Sequence, residues 1–350
     1  MLLNLTNYSS EPIYDQIVKQ VLLRILEENK LPGDELESIS KISRQHHISK
    51  GSIKKAFEKL KQLGVISESE KDNYLINNIS TRELKLLIER NYYNNSDFSE
   101  YELYKTELSA ARQIQNDLLP KNLPKNEVID TAAFSTISDE VGGDFYDFFE
   151  LEKDKYGILI GDASGKGFPA AMLISQIQAI IKSSLSSKRT LLQTVALINS
   201  YMNSYSSAKN FATLFYGLLD LKKGKMHYIN AGHNFPFILG KDGELKKLKT
   251  TGPALGIITN ANFKENVVDV YPGDLLLLFT DGLPERMNKE NQQFGENTLI
   301  DIVSENNKNT ATQIINSINH SLKQFTGDTS TEDDITFMVM KFNNIERVNP

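Results

Sequence analysis

Apolar positions at helical spacing dominate the first 80 residues. Between residues 12 and 28 they recur every three or four positions, which predicts an amphipathic helix. The same pattern predicts a short helix over 38–45 and a longer one over 50–64. Two short apolar stretches, 65–66 and 74–76, flank a polar tip and are expected to pair as a hairpin. The segment therefore has the pattern of a small helical domain that ends in two strands.

Residues 81–119 form a connector with two helical patterns, which the polar cluster 94–97 is expected to separate. In the second pattern, the positions spaced by three or four residues are Tyr101, Tyr104, Leu108, Ala111, Gln115 and Leu118. This spacing is typical of a coiled-coil seam, although the pattern is short. Two interpretations stay open: a seam between two copies of the chain, which would form a homodimer, or a helix that packs on its own domain.

Beyond residue 128 the apolar runs become short and rich in β-branched and aromatic residues, which indicates strands. These runs lie at 156–160, 212–219, 226–229, 235–239, 275–279 and 335–340. Longer helical patterns lie at 169–186, 191–206 and 311–325. Runs of strands with helices between them predict an α+β fold, in which helices cover a sheet core.

Composition narrows the class of protein. The chain of 350 residues has no cysteine, which excludes disulfides, thiolate metal sites and a cysteine nucleophile. Its net charge of −6 argues against nucleic-acid binding over the whole surface. The first 80 residues are neutral, with 11 basic and 11 acidic side chains, so any DNA contact is expected there. No signal-peptide pattern is present, and no apolar run approaches the ~20 residues of a membrane span, so we expect a cytoplasmic protein.

Four short segments place aspartate beside glycine or at the end of a predicted strand. They are VGGD (141–144), GDASG (161–165), TDG (280–282) and DDI (333–335). Glycine lets the backbone approach closely, and clustered carboxylates stay ionised together only around cations. Oxygen ligands favour Mg²⁺ or Mn²⁺ over zinc. Each segment alone is typical of a turn, but the four together predict a site for a hard metal ion.

Residues 110–342 resemble the PPM-type serine/threonine phosphatases, in the bacterial branch of the stage II sporulation protein E and sigma-regulation phosphatases. The matching stretches, in family order, are ARQIQ with LLP (111–120), VGGDFYDFF, IGDASGKGFPAAML, FATLFYGLLD, NAGHNFPF, GPALGI, PGDLLLLFTDGLPE, Phe294-Gly295 and DDITFMV. The resemblance implies an α/β sandwich of central sheets flanked by helices. It also implies hydrolysis of phosphoserine or phosphothreonine in a phosphoprotein, by analogy an anti-sigma-factor antagonist in a partner-switching pathway.

Carried over residue by residue, the resemblance implies a site for two ions, Mn²⁺ or Mg²⁺. Its ligands, which are also the catalytic groups, would be Asp144, Asp162, Asp281 and Asp333. Asp162 would bridge both ions, the backbone carbonyl of Ala163 would join one of them, and Asp334 stays an alternative to Asp333. No covalent enzyme intermediate is expected. Ser164 stands where the eukaryotic branch has a histidine proposed as general acid, so the leaving group must be protonated by water or another group.

Four further residues in these motifs have more than one interpretation. His233, in an NAGHN loop, is expected to be structural rather than a base. Lys166 could favour a phosphate, but it lacks Walker-type spacing and a solvated loop lysine is the simpler interpretation. Asp147 and Glu285 lie beside the metal motifs and are either groups that orient the metal ligands or surface acids.

Residues 8–77 resemble the GntR-type winged helix-turn-helix through PIYDQI (12–17), LPGDEL (31–36), ISKGSIKKA (48–56) and LGVI (63–66). Where that family usually has DNA-contacting arginines, this chain has Ser40, Lys50 and Lys54, and lysine lacks the fork that reads guanine. Lys50, Lys54 and Lys55 are the candidate DNA contacts. The alternative is a protein-docking or dimerising module.

We therefore expect a winged helix-turn-helix domain over 1–80, a helical linker over 81–120 and a phosphatase domain over 121–345. The leading hypothesis is a metal-dependent protein phosphatase that the front domain and the linker control. The alternative is a DNA-binding transcriptional regulator with a degenerate, phosphatase-like binding domain.

Overall fold

The computed structural model describes residues 12–27, 32–46, 48–69, 73–92, 95–138, 141–205, 210–327 and 333–344. Internal contacts divide the chain into two compact units, Met1–Thr106 and Glu107–Pro350. The division falls inside the segment that the sequence predicts as a linker, so each unit holds part of that segment. Within the described ranges, every helix is too short or too polar to cross a lipid bilayer.

In the first unit, helices precede and follow a two-stranded antiparallel hairpin. The elements are α1 (Ile13–Glu27), α2 (Ile39–His46), α3 (Lys50–Gln62), β1 (Ile66–Glu68), β2 (Tyr74–Ile76) and α4 (Thr81–Tyr92). Ser49 caps α3 by accepting a hydrogen bond from the Ser52 N–H, and Gly64, with a φ of 72°, follows the helix end. The helices and the hairpin lie close to their predicted positions.

The core of this unit is formed by the apolar faces of its helices and by the hairpin. Leu22 of α1 and Phe57 of α3 are fully buried in it. The Phe57 ring stands edge-to-face against Tyr74 of β2, with 4.7 Å between ring centroids. The aromatic pair thus joins α3 to the hairpin.

The connector continues as α5 (Asn95–Leu118). The polar cluster 94–97 was expected to interrupt it, and this is wrong for 95–97, because these residues open the helix. Asn, Ser and Asp favour helix starts, since their side chains can satisfy free N–H groups there.

The predicted seam of α5 does not lie on one free face. Leu108 and Gln115 are buried within the chain, whereas Leu118 is 41% exposed and its neighbour Ile114 is 65% exposed. The side chains of Tyr101 and Tyr104 lie outside the described part of the structure. The alternative of a helix packed on its own domain therefore holds for Gln115, which hydrogen-bonds to Gly142.

Two antiparallel five-stranded sheets and their helices form the second unit. The strands are β3 (Ile129–Thr136), β4 (Asp144–Glu152), β5 (Lys155–Ala163), β6 (Ala212–Asp220), β7 (Lys225–Ala231), β8 (Phe237–Leu239), β9 (Leu245–Lys247), β10 (Asn266–Asp269), β11 (Leu275–Phe279) and β12 (Ile335–Phe342). The helices are α6 (Phe168–Ser186), α7 (Leu191–Tyr205), α8 (Glu296–Glu305) and α9 (Ala311–Thr326). The strand orders are β10-β7-β6-β5-β4 in the first sheet and β3-β12-β11-β8-β9 in the second.

Alternate side chains of these strands enter different cores. Ile158 and Ile160 of β5 pack with Leu276 and Leu278 of β11 between the two sheets. Leu159 points the other way, into the core that α6 and α7 share with the first sheet. The outer face of β11 packs in the same manner under α8 and α9. The result is a helix–sheet–sheet–helix sandwich, and burial on both faces explains why β11 is an unbroken apolar run.

Some elements do not follow from the sequence pattern. They are β3, β4, β9, β10 and α8. In β4 the buried Asp144 and Asp147 break the alternation of apolar and polar residues that identifies a half-buried strand. One of these two residues, Asp144, is also a predicted metal ligand.

Candidate active site

Two aspartates lie side by side at one end of the first sheet. Asp144 is the first residue of β4, and Asp162 lies one residue before the end of β5. The two are direct cross-strand partners, so their side chains leave the same face of the sheet. The β4–β5 register therefore brings together two of the four predicted ligands.

The second sheet ends in a matching pair. Asp281 lies two residues beyond β11 and Asp333 two residues before β12, and these strands are paired neighbours. A Cβ on Gly282 would lie 1.9 Å from the carbonyl oxygen of Asp334 and 3.5 Å from the Cβ of Asp333. Only glycine allows the two chain segments to approach this closely.

Hydrogen bonds join the ends of the two sheets. The Thr280 hydroxyl donates to Oδ2 of Asp144 at 2.7 Å. The Gly143 N–H donates to Oδ2 of Asp334 at 2.8 Å. The four predicted ligands therefore lie at one end of the sandwich, two from each sheet.

The hydrogen bonds of Asp334 distinguish it from Asp333. Its Oδ1 accepts from the N–H and the hydroxyl of Ser138, at 2.8 and 3.0 Å, while its Oδ2 accepts from Gly143. Asp334 is buried, whereas the side chain of Asp333 is 56% exposed. Because both oxygens of Asp334 are engaged in holding the backbone, the geometry favours Asp333 as the metal ligand.

The cluster carries excess negative charge. Burial, followed by the charge of Asp162, holds the pKa of Asp144 well above its usual range. Burial and the charges of Asp281 and Asp333 raise the pKa of Asp162 to about 7. Burial and Asp333 also raise the pKa of Asp281. All three shifts have the sign expected for buried carboxylates that repel one another.

The donor set fits a hard divalent cation. It consists of carboxylate oxygens and the carbonyl oxygen of Ala163. A Cβ on Gly143 would lie 2.9 Å from that carbonyl oxygen and 3.2 Å from Oδ1 of Asp162, so the glycine keeps this space open. Within the described ranges, no group of three or more acidic or histidine side chains has the spacing of a metal site. Oxygen donors of this kind suit Mg²⁺ or Mn²⁺.

Lys166 and Glu285 lie at the edge of the cluster. The Lys166 side chain is 55% exposed, as expected for a solvated loop lysine, and its ammonium also lies 3.5 Å from Oδ1 of Asp333. Glu285 is exposed and its N–H donates to the backbone oxygen of Asp281 at 2.9 Å. Burial and the charges of Asp281 and Asp333 raise the pKa of Glu285, which places its carboxylate near theirs.

Asp147 is not part of the cluster. It is buried and forms an ion pair with Lys182 of α6. Phe145 and Phe149, at alternate positions of β4, also pack on the helical side of the sheet. Asp147 is therefore neither a surface acid nor directed towards the aspartates between the sheets.

His233 is buried beside the cluster. Its Nδ1 lies 2.7 Å from the hydroxyl of Thr213, which is the cross-strand partner of Asp162. Burial lowers the pKa of His233 to about 4, so the ring is neutral at pH 7. This environment agrees with the expected structural role.

Ser164 forms two hydrogen bonds with the backbone of Phe211. Its N–H donates to the oxygen of Phe211 at 2.8 Å, and its hydroxyl oxygen accepts from the Phe211 N–H at 2.9 Å. The side chain thus anchors the loop that follows Asp162.

Gln115 of α5 is a positioning residue that the sequence did not identify. Its amide nitrogen donates to the oxygen of Gly142 at 2.7 Å, and its amide oxygen accepts from the Gly142 N–H at 3.1 Å. The two bonds hold the backbone directly before Asp144. The sequence did offer a signal for this role, because Gln115 is a polar residue among the mostly apolar positions of the predicted seam. Thr280 and Ser138 were also missed, because both act through hydrogen bonds to aspartates far away in the chain, which only the fold reveals.

A family model described as stage II sporulation protein E (SpoIIE) matches residues 152–343. Protein IcfG of Synechocystis sp. is 30% identical over 263 residues, which cover 67% of this chain and 41% of IcfG. Phosphoserine phosphatase RsbU of Bacillus subtilis is 29% identical over 238 residues, which cover 68% of this chain and 70% of RsbU. The chain thus spans less than half the length of IcfG and most of the length of RsbU.

Among solved structures, the SiaA-PP2C domain of Pseudomonas aeruginosa is similar, with a TM-score of 0.62 and 22% identity. The match covers 70% of this chain and 99% of that domain, which confirms the phosphatase-type sandwich fold. A shorter match of 58 residues, at 33% identity, joins 17% of this chain to 48% of the HTH-type transcriptional regulator YhcF of Bacillus subtilis.

Proposed function

The chain belongs to the stage II sporulation protein E (SpoIIE) family, and from this premise we propose that it is a metal-dependent protein serine/threonine phosphatase. The observation that carries the proposal is the convergence of Asp144, Asp162, Asp281 and Asp333 from two sheets at one end of the sandwich. The similarity to the phosphoserine phosphatase RsbU supports the same activity.

In this proposal the carboxylates of the cluster and the Ala163 carbonyl would hold two Mn²⁺ or Mg²⁺ ions, and Asp162 would contribute to both. When bound, such ions lower the pKa of a shared water and neutralise charge on a phosphoryl group. The overall reaction is hydrolysis of a phosphate monoester to inorganic phosphate and the free hydroxyl of serine or threonine.

The chain's own contribution is to orient these ligands. Thr280 fixes one oxygen of Asp144 from the opposite sheet. Asp334 and Gln115 hold the glycines that precede it. The Ser164 hydroxyl accepts from the Phe211 N–H and so anchors the loop, and in this proposal water protonates the leaving oxygen.

Hydrolysis of p-nitrophenyl phosphate and of phosphoserine peptides tests the activity. We expect hydrolysis with added Mn²⁺ or Mg²⁺ and none in excess chelator. Asp162→Asn and Asp281→Asn should each abolish it, because each removes a charged ligand. Asp301→Asn, on the exposed face of α8, is the matched control and should keep wild-type activity. Full activity in chelator or in Asp162→Asn would contradict the assignment.

We propose that the substrate is a phosphoprotein of a partner-switching pathway, similar to an anti-sigma-factor antagonist. This rests on the family and on the open position of the cluster, where Asp333 is more than half exposed and accessible to a residue on a protein surface. Phosphoserine and phosphothreonine peptides should be hydrolysed, and a phosphotyrosine peptide of the same sequence should not. Equal rates on all three peptides would argue against this specificity.

We propose that the chain forms a homodimer through α5. Ile114 and Leu118 support this, since they lie four residues apart on one helix face and both are exposed. Ile114→Asp should then give monomers in sedimentation, while Glu107→Gln, at an exposed polar position of the same helix, should not. A wild-type monomer at micromolar concentration would contradict the proposal.

A second function, weak DNA binding by the first unit, is favoured by its helices and hairpin and by the similarity to YhcF. The basic side chains of α3 are mostly engaged within the unit. Lys59 pairs with Asp15, Lys61 pairs with Glu68, and Lys55 lies 3.9 Å from the centroid of the Tyr14 ring.

Lys50 and Lys54 show no such contact within the described residues. We therefore expect about two contacts with DNA phosphates. The logarithm of the binding constant should then fall with the logarithm of the salt concentration with a slope near −2. A winged helix-turn-helix that serves mainly as a dimerising or signal-sensing module would bind DNA in this weak, sequence-independent way. Nanomolar binding of one DNA site in 150 mM salt would contradict this expectation.

A further inference from the structure

The ammonium of Lys166 lies at the exposed side of the carboxylate cluster. The Lys166 ammonium lies 3.5 Å from Oδ1 of Asp333, and the Lys166 side chain is 55% exposed. The charge of Lys166 also lowers the pKa of Asp281, against the effect of burial and of Asp333, which raise it. Lys166 thus lies between solvent and the two ligands that come from the second sheet.

The backbone on either side of Lys166 requires glycine. Gly165 has a φ of 91° and Gly167 a φ of 67°, which are values that other residues adopt only with strain. The loop begins at Ser164, which is fixed to Phe211, and ends where α6 starts at Phe168. Anchors at both ends and two glycine bends between them give the loop a defined path beside Asp333.

The ion pair of Lys166 is of the kind that exchanges easily. It is long and exposed, and such pairs contribute little to stability. A phosphate monoester carries a charge between about −1.5 and −2 at pH 7 and offers three acceptor oxygens. A lysine ammonium offers three donors on a flexible stem. An arriving phosphate is therefore a stronger partner for Lys166 than this long contact with Oδ1 of Asp333.

We propose that Lys166 binds the phosphate oxygens of the substrate and holds them against the carboxylate cluster. This rests on the phosphatase function proposed above and adds a substrate-binding residue to it. The alternative is that Lys166 only balances the charge of Asp333 while no metal is bound. The two roles differ in what the lysine affects: phosphate affinity in the first, metal affinity in the second.

Steady-state kinetics with p-nitrophenyl phosphate and Mn²⁺ test the proposal. Lys166→Ala should raise KM, and the inhibition constant of inorganic phosphate, by about tenfold, with a smaller change in kcat. Lys166→Arg keeps the charge and should restore most of the phosphate affinity. Lys153→Ala removes an exposed lysine from the turn at the far end of the β4–β5 hairpin and should leave all constants unchanged.

Calorimetric titration with Mn²⁺ and then with inorganic phosphate gives a readout that does not depend on turnover. For Lys166→Ala we expect unchanged or tighter Mn²⁺ binding and weaker phosphate binding. An unchanged KM and unchanged phosphate affinity would overturn the proposal, whatever happens to kcat or to Mn²⁺ binding. If the wild-type protein fails to hydrolyse any phosphate ester, the phosphatase function fails, while the phosphate titration still decides the role of Lys166.

Discussion

Asp333 and Asp334 are neighbours in the chain, yet we expect opposite results when each is replaced by alanine. Asp334→Ala leaves three donors without their acceptor: the N–H groups of Ser138 and Gly143 and the Ser138 hydroxyl. Hydrogen bonds to charged groups contribute ~1.5–3 kcal/mol each, and the loss of one negative charge from a crowded cluster offsets part of this. We therefore expect the free energy of unfolding to fall by about 3 kcal/mol.

Asp333→Ala removes an exposed side chain whose ion pair with Lys166 is weak. Its free energy of unfolding should stay within about 0.5 kcal/mol of the wild-type value. Thermal unfolding in chelator isolates these effects from metal binding. For a domain of this size, 3 kcal/mol corresponds to a decrease of about 6–12 °C in Tm.

Added Mn²⁺ should affect the stability of the two variants differently. A metal that binds only the folded protein raises Tm, so the wild type and Asp334→Ala should both gain stability from Mn²⁺. Asp333→Ala should lose most of that gain together with its activity. Equal destabilisation of both variants in chelator, or a full Mn²⁺ effect in Asp333→Ala, would refute the division of roles between the two residues.

Two other substitutions and one NMR measurement test the packing around the site. Lys182→Ala should lower the unfolding free energy by about 2 kcal/mol in urea, because buried Asp147 loses its cation, and a loss below about 0.5 kcal/mol would contradict this. The His233 ring should be neutral at pH 6 in ¹⁵N NMR spectra. The pKa of His233 in the folded protein is about 4, below the ordinary 6.5. The free energy of unfolding should therefore decrease as the pH is lowered from 6.5 to 4, because the unfolded chain binds the proton more readily. A protonated ring at pH 6 would refute this expectation. Gly282→Ala should cost about 3 kcal/mol or more, because its Cβ meets the Asp334 carbonyl, and a wild-type Tm would exclude the clash.

In the second unit, the strands that the sequence predicts are mostly buried on both faces. β11 carries an unbroken apolar run and β12 a largely apolar one, because one face meets the other sheet and the opposite face meets helices. β4 follows no such pattern, since Asp144 and Asp147 occupy buried positions that only a cation or an ion pair makes stable. The pattern therefore predicts the α+β fold of this unit, but it does not predict β4, the strand that begins with Asp144.

The four aspartates could be predicted from their place beside glycines and strand ends, and the structure brings them to one end of the sandwich. Metal binding by them stays a prediction. The choice between Asp333 and Asp334 needed the hydrogen bonds to Ser138 and Gly143, which join residues far apart in the chain. The role of Gln115 was hidden for the same reason, because its partner Gly142 lies 27 positions away.

The bond between Gly143 and Asp334 spans 191 positions of the chain. Loops of that length close slowly, and contacts between distant residues form late in folding. During synthesis, β4 and β5 leave the ribosome long before β12, so an incomplete chain holds the aspartates of one sheet without those of the other. Such a chain cannot assemble the cluster. A nascent or partly folded copy would therefore lack the proposed phosphatase activity. That activity would appear only after the two sheets have packed against each other.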